Sequence, residues 1–271
     1  MENKIIQGDC LEVMKDIPDK SVDMILCDLP YGITSAKWDS EINLDLLWLE
    51  YKRVLKENGI ICLNASQPFT SKLVSSNFEM FKHEWIWIKN RGSNFANTVR
   101  EPMKEHESIL IFANKKWNYN KQMQERAESG KARANYLVEH NNKDREVYRK
   151  FEGRKHHQIS KLRVPSSWQK FNIEVGLHPT QKPVALFEYL IKTYTNEGNL
   201  VLDNCAGSGT TGVACKNLNR NFILIEKEEK YIKVIEERLE QQSVADFTQN
   251  SASSGFPTEN SPNKDLKEFQ K

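Results

Sequence analysis

The stretch LVLDNCAGSGTTGVA, residues 200–214, reads as a buried strand that runs straight into a Gly-x-Gly turn and then a helix. Gly207 and Gly209 remove Cβ atoms where the backbone must turn sharply or approach a ligand closely. Thr210 and Thr211 suit the start of the following helix, whose free N–H groups favour a negatively charged group. The run Gly207-Ser208-Gly209-Thr210-Thr211-Gly212 fits GxGxxG in letters, but Asp203 at the strand end changes its meaning. An acid ahead of the glycines repels a pyrophosphate and welcomes the ammonium of a bound amino-acid moiety. That favours S-adenosylmethionine over a nicotinamide dinucleotide, with a purely structural strand–turn–helix as the open alternative. A phosphate loop of the GxxxxGK[ST] kind is excluded, because no lysine follows Gly209 directly. The next strand, NFILIE, ends at Glu226, 17 residues after Gly209. In nucleotide-type α/β sites such an acid hydrogen-bonds ribose hydroxyls.

Outward from this loop, short apolar runs alternate with amphipathic stretches. VALFEYLIKTY before it, and TTGVACKNL and YIKVIEERLEQQ after it, read as helices. Near the N-terminus KIIQGD is a strand, CLEVMKDIP a short helix and SVDMILCD a second strand ending at Asp28. LDLLWLEYKRVLKENG carries Leu44, Leu47, Trp48, Tyr51, Val54 and Leu55 at helical spacing, with Gly59 as its expected C-cap. IICLNA is then a buried strand, and EWIWIK and SILIFA are two half-buried strands expected to pair near a sheet edge. This alternation predicts an α/β sheet with crossover helices.

The order lapses from about Asn114 to Val175, where apolar residues are sparse and charges frequent. Between Lys115 and Lys170 fifteen Lys/Arg face six acids, a balance of +9 within a chain whose net charge is only +2. A long irregular stretch inside a compact domain reads as a functional insertion, and its charge suits a polyanion. Beyond Gln242 the sequence is rich in Ser, Asn and Pro, and a mobile tail is expected. The expected division is therefore 1–113 and 176–242 as two halves of one domain, 114–175 as an insert and 243–271 as a tail. No apolar stretch approaches the roughly 20 residues that a membrane span requires, and MENKIIQGDC lacks a secretory signal pattern. Cys10, Cys27, Cys62, Cys205 and Cys215 show no CxxC pair, which suggests reduced thiols in the cytoplasm and no metal site.

The strand ending at Asp28 continues as CDLPYG, residues 27–32. Pro30 has no donor for a continuing ladder and holds Leu29 extended, so Tyr31 is presented on a rigid loop beside the Asp28 carboxylate. Asp28-Leu29-Pro30-Tyr31 early, HPTQKPVALFEYLI from His178, and Asp203-Asn204-Cys205-Ala206-Gly207-Ser208-Gly209-Thr210-Thr211 late form a distinctive series. With GDCLEVMKDIPDKSVDMILCDLPYG at the start, the chain resembles the amino-methylating DNA methyltransferases of the permuted β arrangement. The resemblance covers roughly residues 4–113 and 176–242. Leu29 replaces the commoner first proline of the tyrosine motif, and Asn204-Cys205 replaces Pro-Phe in the loop.

The resemblance implies a Rossmann-like sheet, circularly permuted, with an inserted recognition region. It also implies methyl transfer from S-adenosylmethionine to an exocyclic amino group of a base in double-stranded DNA. The Asp28 carboxylate and the Leu29 carbonyl would accept the two amino N–H bonds, Pro30 would hold the loop, and Tyr31 would stack on the base. The base has to leave the duplex for this to happen. Asp9 would contact the cofactor adenine, although it also suits the N-cap of CLEVMKD. His178, Thr180 and Lys182 would lie at the methionine end, with Lys182 placed to pair with the carboxylate. Asp203, Cys205 and Ser208 complete the cofactor loop, with Ser66 and Gln67 as further lining. The basic insert, with Arg145, Arg149, Lys150, Arg154 and Lys155 at its centre, would contact phosphates, and Trp117, Tyr119, Tyr136, Tyr148 and Trp168 offer stacking surfaces. An Asp at position 28 associates with adenine N6 rather than cytosine N4. A restriction–modification setting and a homodimer also follow from the resemblance. An RNA or protein amino-methyltransferase is the further alternative.

Overall fold

The computed structural model describes residues 3–32, 41–127, 161–178 and 180–253, with side chains through residue 241. Along the chain come β1 (Lys4–Gln7), α1 (Cys10–Met14), β2 (Val22–Cys27), α2 (Leu44–Val54), β3 (Leu55–Ala65), α3 (Phe69–Ser76), β4 (Phe81–Ser93) and β5 (Lys104–Ala113). Two-residue strands β6 (Gln124–Glu125) and β7 (Leu162–Arg163) pair with each other. Then follow β8 (Trp168–Lys170), α4 (Val184–Tyr194), β9 (Leu200–Asp203), α5 (Thr210–Asn217), β10 (Asn221–Glu226) and α6 (Glu229–Ser253).

One eight-stranded sheet runs in the order β1-β10-β9-β2-β3-β5-β4-β8. The first five strands are parallel neighbours, and β5 is antiparallel to both β3 and β4. Its central strands are apolar on both faces, as parallel strands covered by helices must be. Ile25 and Cys27 of β2 and Ile61 and Leu63 of β3 face α1, α2 and α3. Met24, Leu26, Ile60 and Cys62 face α4, α5 and α6. The period of two in these strands thus divides one apolar run between two cores. EWIWIK and SILIFA fall in β4 and β5, pairing next to the edge as expected.

The joint between β2 and β9 positions the site. Met24 lies opposite Val201 and Ile25 opposite Leu202, so the two strands end side by side. From β2 the chain winds towards β3, whereas from β9 it winds towards β10, so the strand order reverses at this joint. Ligand crevices of open α/β sheets form outside the carboxyl ends of strands at such a reversal. Asp28 directly follows β2, and Asp203 ends β9.

Three elements depart from the sequence expectation. α2 stops at Val54 and Leu55 enters β3 at once, so Gly59 is no helix cap. Leu55 is fully buried opposite Val22, and that burial draws the chain into the sheet where helical periodicity would carry it on. Gly59 is needed for packing instead: a Cβ there would lie 2.7 Å from the Leu55 side chain and 3.0 Å from the Asp23 carbonyl. Secondly, α6 continues past Gln242 to Ser253, through the first part of the expected tail. No glycine or proline interrupts the chain before Gly255, so nothing in the backbone stops the helix. Thirdly, within the stretch that reads as an insert, Trp168–Lys170 adds a parallel edge strand to β4.

Candidate active site

The glycine loop is braced from three directions. Gly207 and Gly209 have φ of 52° and 77°, the left-handed region that a side chain disfavours. A Cβ on Gly209 would also sit 3.0 Å from the Ile235 side chain of α6. Asp203 is 3% exposed, and its carboxylate accepts from the Cys205 N–H at 3.1 Å and from the Thr211 hydroxyl. Burial lifts its pKa to about 7 against these donors. Glu226 accepts from the Gly207 N–H at 2.8 Å and from the Glu228 N–H at 2.9 Å. From α6, the Arg238 guanidinium donates to the Ser208 carbonyl at 3.1 Å and the Thr210 hydroxyl at 3.2 Å. Both expected ligand acids therefore shape the loop, and each carboxylate oxygen keeps a lone pair beyond the bond it makes. Cys205 and Asn204, in place of Pro-Phe, find polar partners: buried Tyr51 donates to the Asn204 amide oxygen at 2.6 Å. The thiols of Cys10 and Cys27 approach Cys205.

The tyrosine loop meets this one at the joint. The Tyr31 hydroxyl donates to Asp28 Oδ1 at 2.9 Å, and its ring stacks on Phe69, 4.9 Å between centroids. Leu29 is buried in the core below and, with Pro30, holds the loop over the sheet. Asp28 Oδ2 accepts from the Lys182 ammonium, which also lies 3.6 Å from Glu107 Oε2. Glu107, on β5, receives Lys89 on its other oxygen. Burial pushes the Asp28 carboxyl up in pKa, opposed chiefly by Lys182. Burial acts the same way on Glu107, but Lys182 and Lys89 outweigh it and hold that carboxyl down. Burial would neutralise Lys182, but Asp28 and Glu107 hold it charged.

Lys182 is thus a partner of Asp28 in this structure, which the sequence reading did not anticipate. Its carbonyl also accepts from the Thr210 hydroxyl at 3.2 Å, tying the HPTQKP segment to the glycine loop. His178 Nδ1 accepts from the Thr180 N–H at 3.2 Å, and its ring packs edge-on to Tyr231 at 4.5 Å. Burial, with Lys182 and Lys230 nearby, lowers the His178 pKa to about 4, so the imidazole is neutral at physiological pH. Glu174 seats the segment by accepting from the Val184 N–H at 2.9 Å and from the Gln181 side chain at 3.2 Å.

Asp9 is exposed and caps α1 through the Leu11 N–H at 3.0 Å, so the helix-cap reading holds whatever else the residue does. Ser66 and Gln67 precede α3 close to Phe69. Trp117 packs against the core beside α4, Tyr119 is ring-to-ring with Tyr194 at 6.1 Å, and Trp168 lies half exposed on the edge strand. Arg145, Arg149, Lys150, Arg154, Lys155, Tyr136 and Tyr148 lie outside the described residues. Among the described residues no cluster of His, Cys, Asp and Glu could hold a metal ion, and no helix is long and apolar enough to cross a membrane. Glu107, Lys89, Arg238 and Glu174 escaped the sequence reading. Glu107 and Lys89 sit in strands and Arg238 in a helix, all away from the motifs, and only the fold brings them to the site; Glu174 lies in the irregular stretch just before HPTQKP.

An Asp–Tyr loop and a braced glycine loop, side by side at the reversal point of a doubly wound sheet, define a Rossmann-like methyltransferase architecture. Residues 22–237 match the sequence signature of the N6/N4 DNA methylase family, and the chain belongs to that family. It is 31% identical over 255 residues to the DNA adenine methyltransferase YhdJ of Escherichia coli (strain K12), covering 87% of this chain and 82% of that one. It is 29% identical over 258 residues to the type II methyltransferase M.HpaI of Haemophilus parainfluenzae, covering 89% of this chain and 76% of that one. The crystal structure of the M1.HpyAVI–SAM complex superposes with a TM-score of 0.60 at 29% identity, over 87% of this chain and 98% of that one.

Proposed function

We propose that this protein transfers a methyl group from S-adenosylmethionine to the exocyclic N6 of adenine in double-stranded DNA, at a specific sequence. The observation that carries the reading is the meeting of Asp28 and Tyr31 with the glycine loop at the β2–β9 joint. The residues fit the cofactor: left-handed glycines turn the backbone at the mouth of α5 without side-chain bulk, and Glu226 and Asp203 flank them. Asp9, His178, Thr180, Lys182, Asp203, Cys205, Gly207, Ser208, Gly209, Thr210, Thr211 and Glu226, with Asp28 nearest the methyl, are the residues that would hold it. When bound, the cofactor supplies an electrophilic methyl group.

The chain's own part is to make a poor nucleophile attack. The lone pair of an exocyclic amine is delocalised into its ring. Acceptors on both N–H bonds, the Asp28 carboxylate and the Leu29 carbonyl, favour sp³ character and free that lone pair. Pro30 and the buried Leu29 side chain fix these acceptors, which supplies orientation and pre-aimed charge together. Tyr31 and Phe69 offer an aromatic stack beside the acceptors for a base drawn from the helix. The relative YhdJ, a DNA adenine methyltransferase by name, supports adenine, as does the acid at position 28. The basic segment 114–175, with Arg145, Arg149, Lys150, Arg154 and Lys155, is the expected phosphate-binding region. Residues 1–113 and 176–242 form the two halves of the catalytic domain. We assign the protein to the cytoplasm, beside its DNA, where it would work alone or as a homodimer.

The test is direct. Unmethylated DNA is incubated with the protein and S-adenosylmethionine, digested to nucleosides and separated by mass spectrometry. N6-methyladenine is the expected product. N4-methylcytosine alone would overturn the base assignment, and no methylated base at all would overturn the function.

A further inference from the structure

Both oxygens of the Asp28 carboxylate already carry a donor: the Tyr31 hydroxyl on Oδ1 and the Lys182 ammonium on Oδ2. An incoming amino group has to compete with one of these donors for the carboxylate. Tyr31 is held by its stack on Phe69 as well as by the hydrogen bond. Lys182 stands differently, because a second acceptor waits for it. Glu107 Oε2 is buried without a hydrogen-bond partner, 3.6 Å from the Lys182 nitrogen, just beyond hydrogen-bond length. Lys89 grips the other oxygen of Glu107 and so keeps that vacant acceptor in place.

A buried acceptor left unsatisfied is costly. Here the cost is cancelled as soon as the ammonium moves a fraction of an ångström away from Asp28. The move keeps the lysine charged and paired throughout, so no proton changes hands. It also keeps the charge count of the pocket constant, with two ammonium groups and two carboxylates in alternation from Lys89 through Glu107 and Lys182 to Asp28.

We propose that Lys182 is a displaceable occupant of the amino-acceptor site, passing from Asp28 to Glu107 as the target base enters. Lys182 and Glu107 are then positioning residues, acting on the reaction through Asp28. In the absence of DNA the lysine keeps the carboxylate ionised and aligned. In its presence, Glu107 receives the lysine and Oδ2 turns to the base. Without Glu107 the lysine has nowhere to go and competes with the amino group. The groups bearing on the charge of Asp28 are Lys182, Glu107, Tyr31, Cys27 and Asp203. Lys182 is the one cation among them, so its removal moves the Asp28 titration upward.

The proposal rests on the DNA-methylating function, and one set of measurements separates the two. Methyl incorporation into unmethylated DNA is followed across pH 6–9 for the wild-type protein and for E107Q, K182M and E107Q/K182M, with melting temperature and cofactor affinity alongside. We expect E107Q to lower kcat/KM for DNA at least tenfold at pH 7.5 while cofactor affinity stays within twofold. In the K182M background the same E107Q change should cost less than threefold, since no lysine remains to be received. K182M itself should move the acid limb of the pH profile up by one unit or more. Equal costs of E107Q in both backgrounds, or an unmoved acid limb, would overturn the device while leaving the function standing. Wild-type protein that methylates no DNA would overturn both. Should E107Q not fold, E107A removes the same acceptor and supplies the same comparison.

Discussion

Asn at position 28 keeps the shape of the side chain and removes its charge. The Tyr31 hydroxyl can still donate to the remaining carbonyl oxygen, so the loop has no reason to move. The amide nitrogen would face the Lys182 ammonium, whose side chain is 8% exposed. Breaking one side of a buried pair costs roughly 3–5 kcal/mol, and with Glu107 still near the lysine about 2–3 kcal/mol is expected here. For a chain of this size that corresponds to a fall in Tm of roughly 5–10 °C. On the chemical side, one amino N–H loses a charged, aimed acceptor. Removal of a single such group elsewhere costs about 10²–10³ in kcat, and the same range is expected for Asp28→Asn. The double variant D28N/K182M removes the stranded cation, so the melting temperature should recover while turnover stays low. Differential scanning fluorimetry and methyl incorporation on the same preparations read both effects. Turnover within tenfold of wild type in a folded D28N protein would refute the role of Asp28. Recovery of turnover in the double variant would show instead that the lysine alone was at fault.

Gly209→Ala places a Cβ at φ 77° and 3.0 Å from Ile235, so a loss of about 1–3 kcal/mol is expected, with weaker cofactor binding by calorimetry; an unchanged affinity would mean the loop has slack. Asp203 has a folded pKa of about 7, above its unfolded value, so the folded state binds the extra proton and the group's contribution to stability falls as pH rises from about 4 to 7. The Tm of Asp203→Asn relative to wild type should therefore climb over that window, and a constant difference would refute the burial argument. Charge reversal at Arg145, Arg149, Lys150, Arg154 and Lys155 should weaken DNA binding and flatten its salt dependence with cofactor affinity unchanged, as read by anisotropy at several salt concentrations; an unaltered salt slope would move the phosphate face elsewhere.

The motifs that define the site were legible because each couples local chemistry to a strand end. Asp28 and Asp203 close apolar runs, and Gly207 and Gly209 sit where only a glycine tolerates the turn. What lay hidden was set by contacts remote in the chain. Glu107 occupies a strand position indistinguishable by pattern from an exposed polar residue, yet β5 aims it at Lys182. Arg238 lies on a helix with charges on most of its turns, and only packing selects it to hold Ser208. The same applies to Gly59, whose place after a lysine-rich helix suggested a cap until the burial of Leu55 decided the matter. Local patterns report which face a residue prefers. They do not report who waits there.

The joint between β2 and β9 also has a consequence during synthesis. β2 ends at Cys27 and its neighbour β9 begins only at Leu200. At about 5–20 residues per second, a ribosome needs roughly 10–35 seconds to pass from one to the other. Throughout that interval the apolar flank of β2 that β9 will cover has no mate, and β1 too waits for β10. A nascent chain can therefore assemble the strands around β3 early but cannot close its crevice. Methylating competence arrives late and all at once, when β9 and β10 have been made.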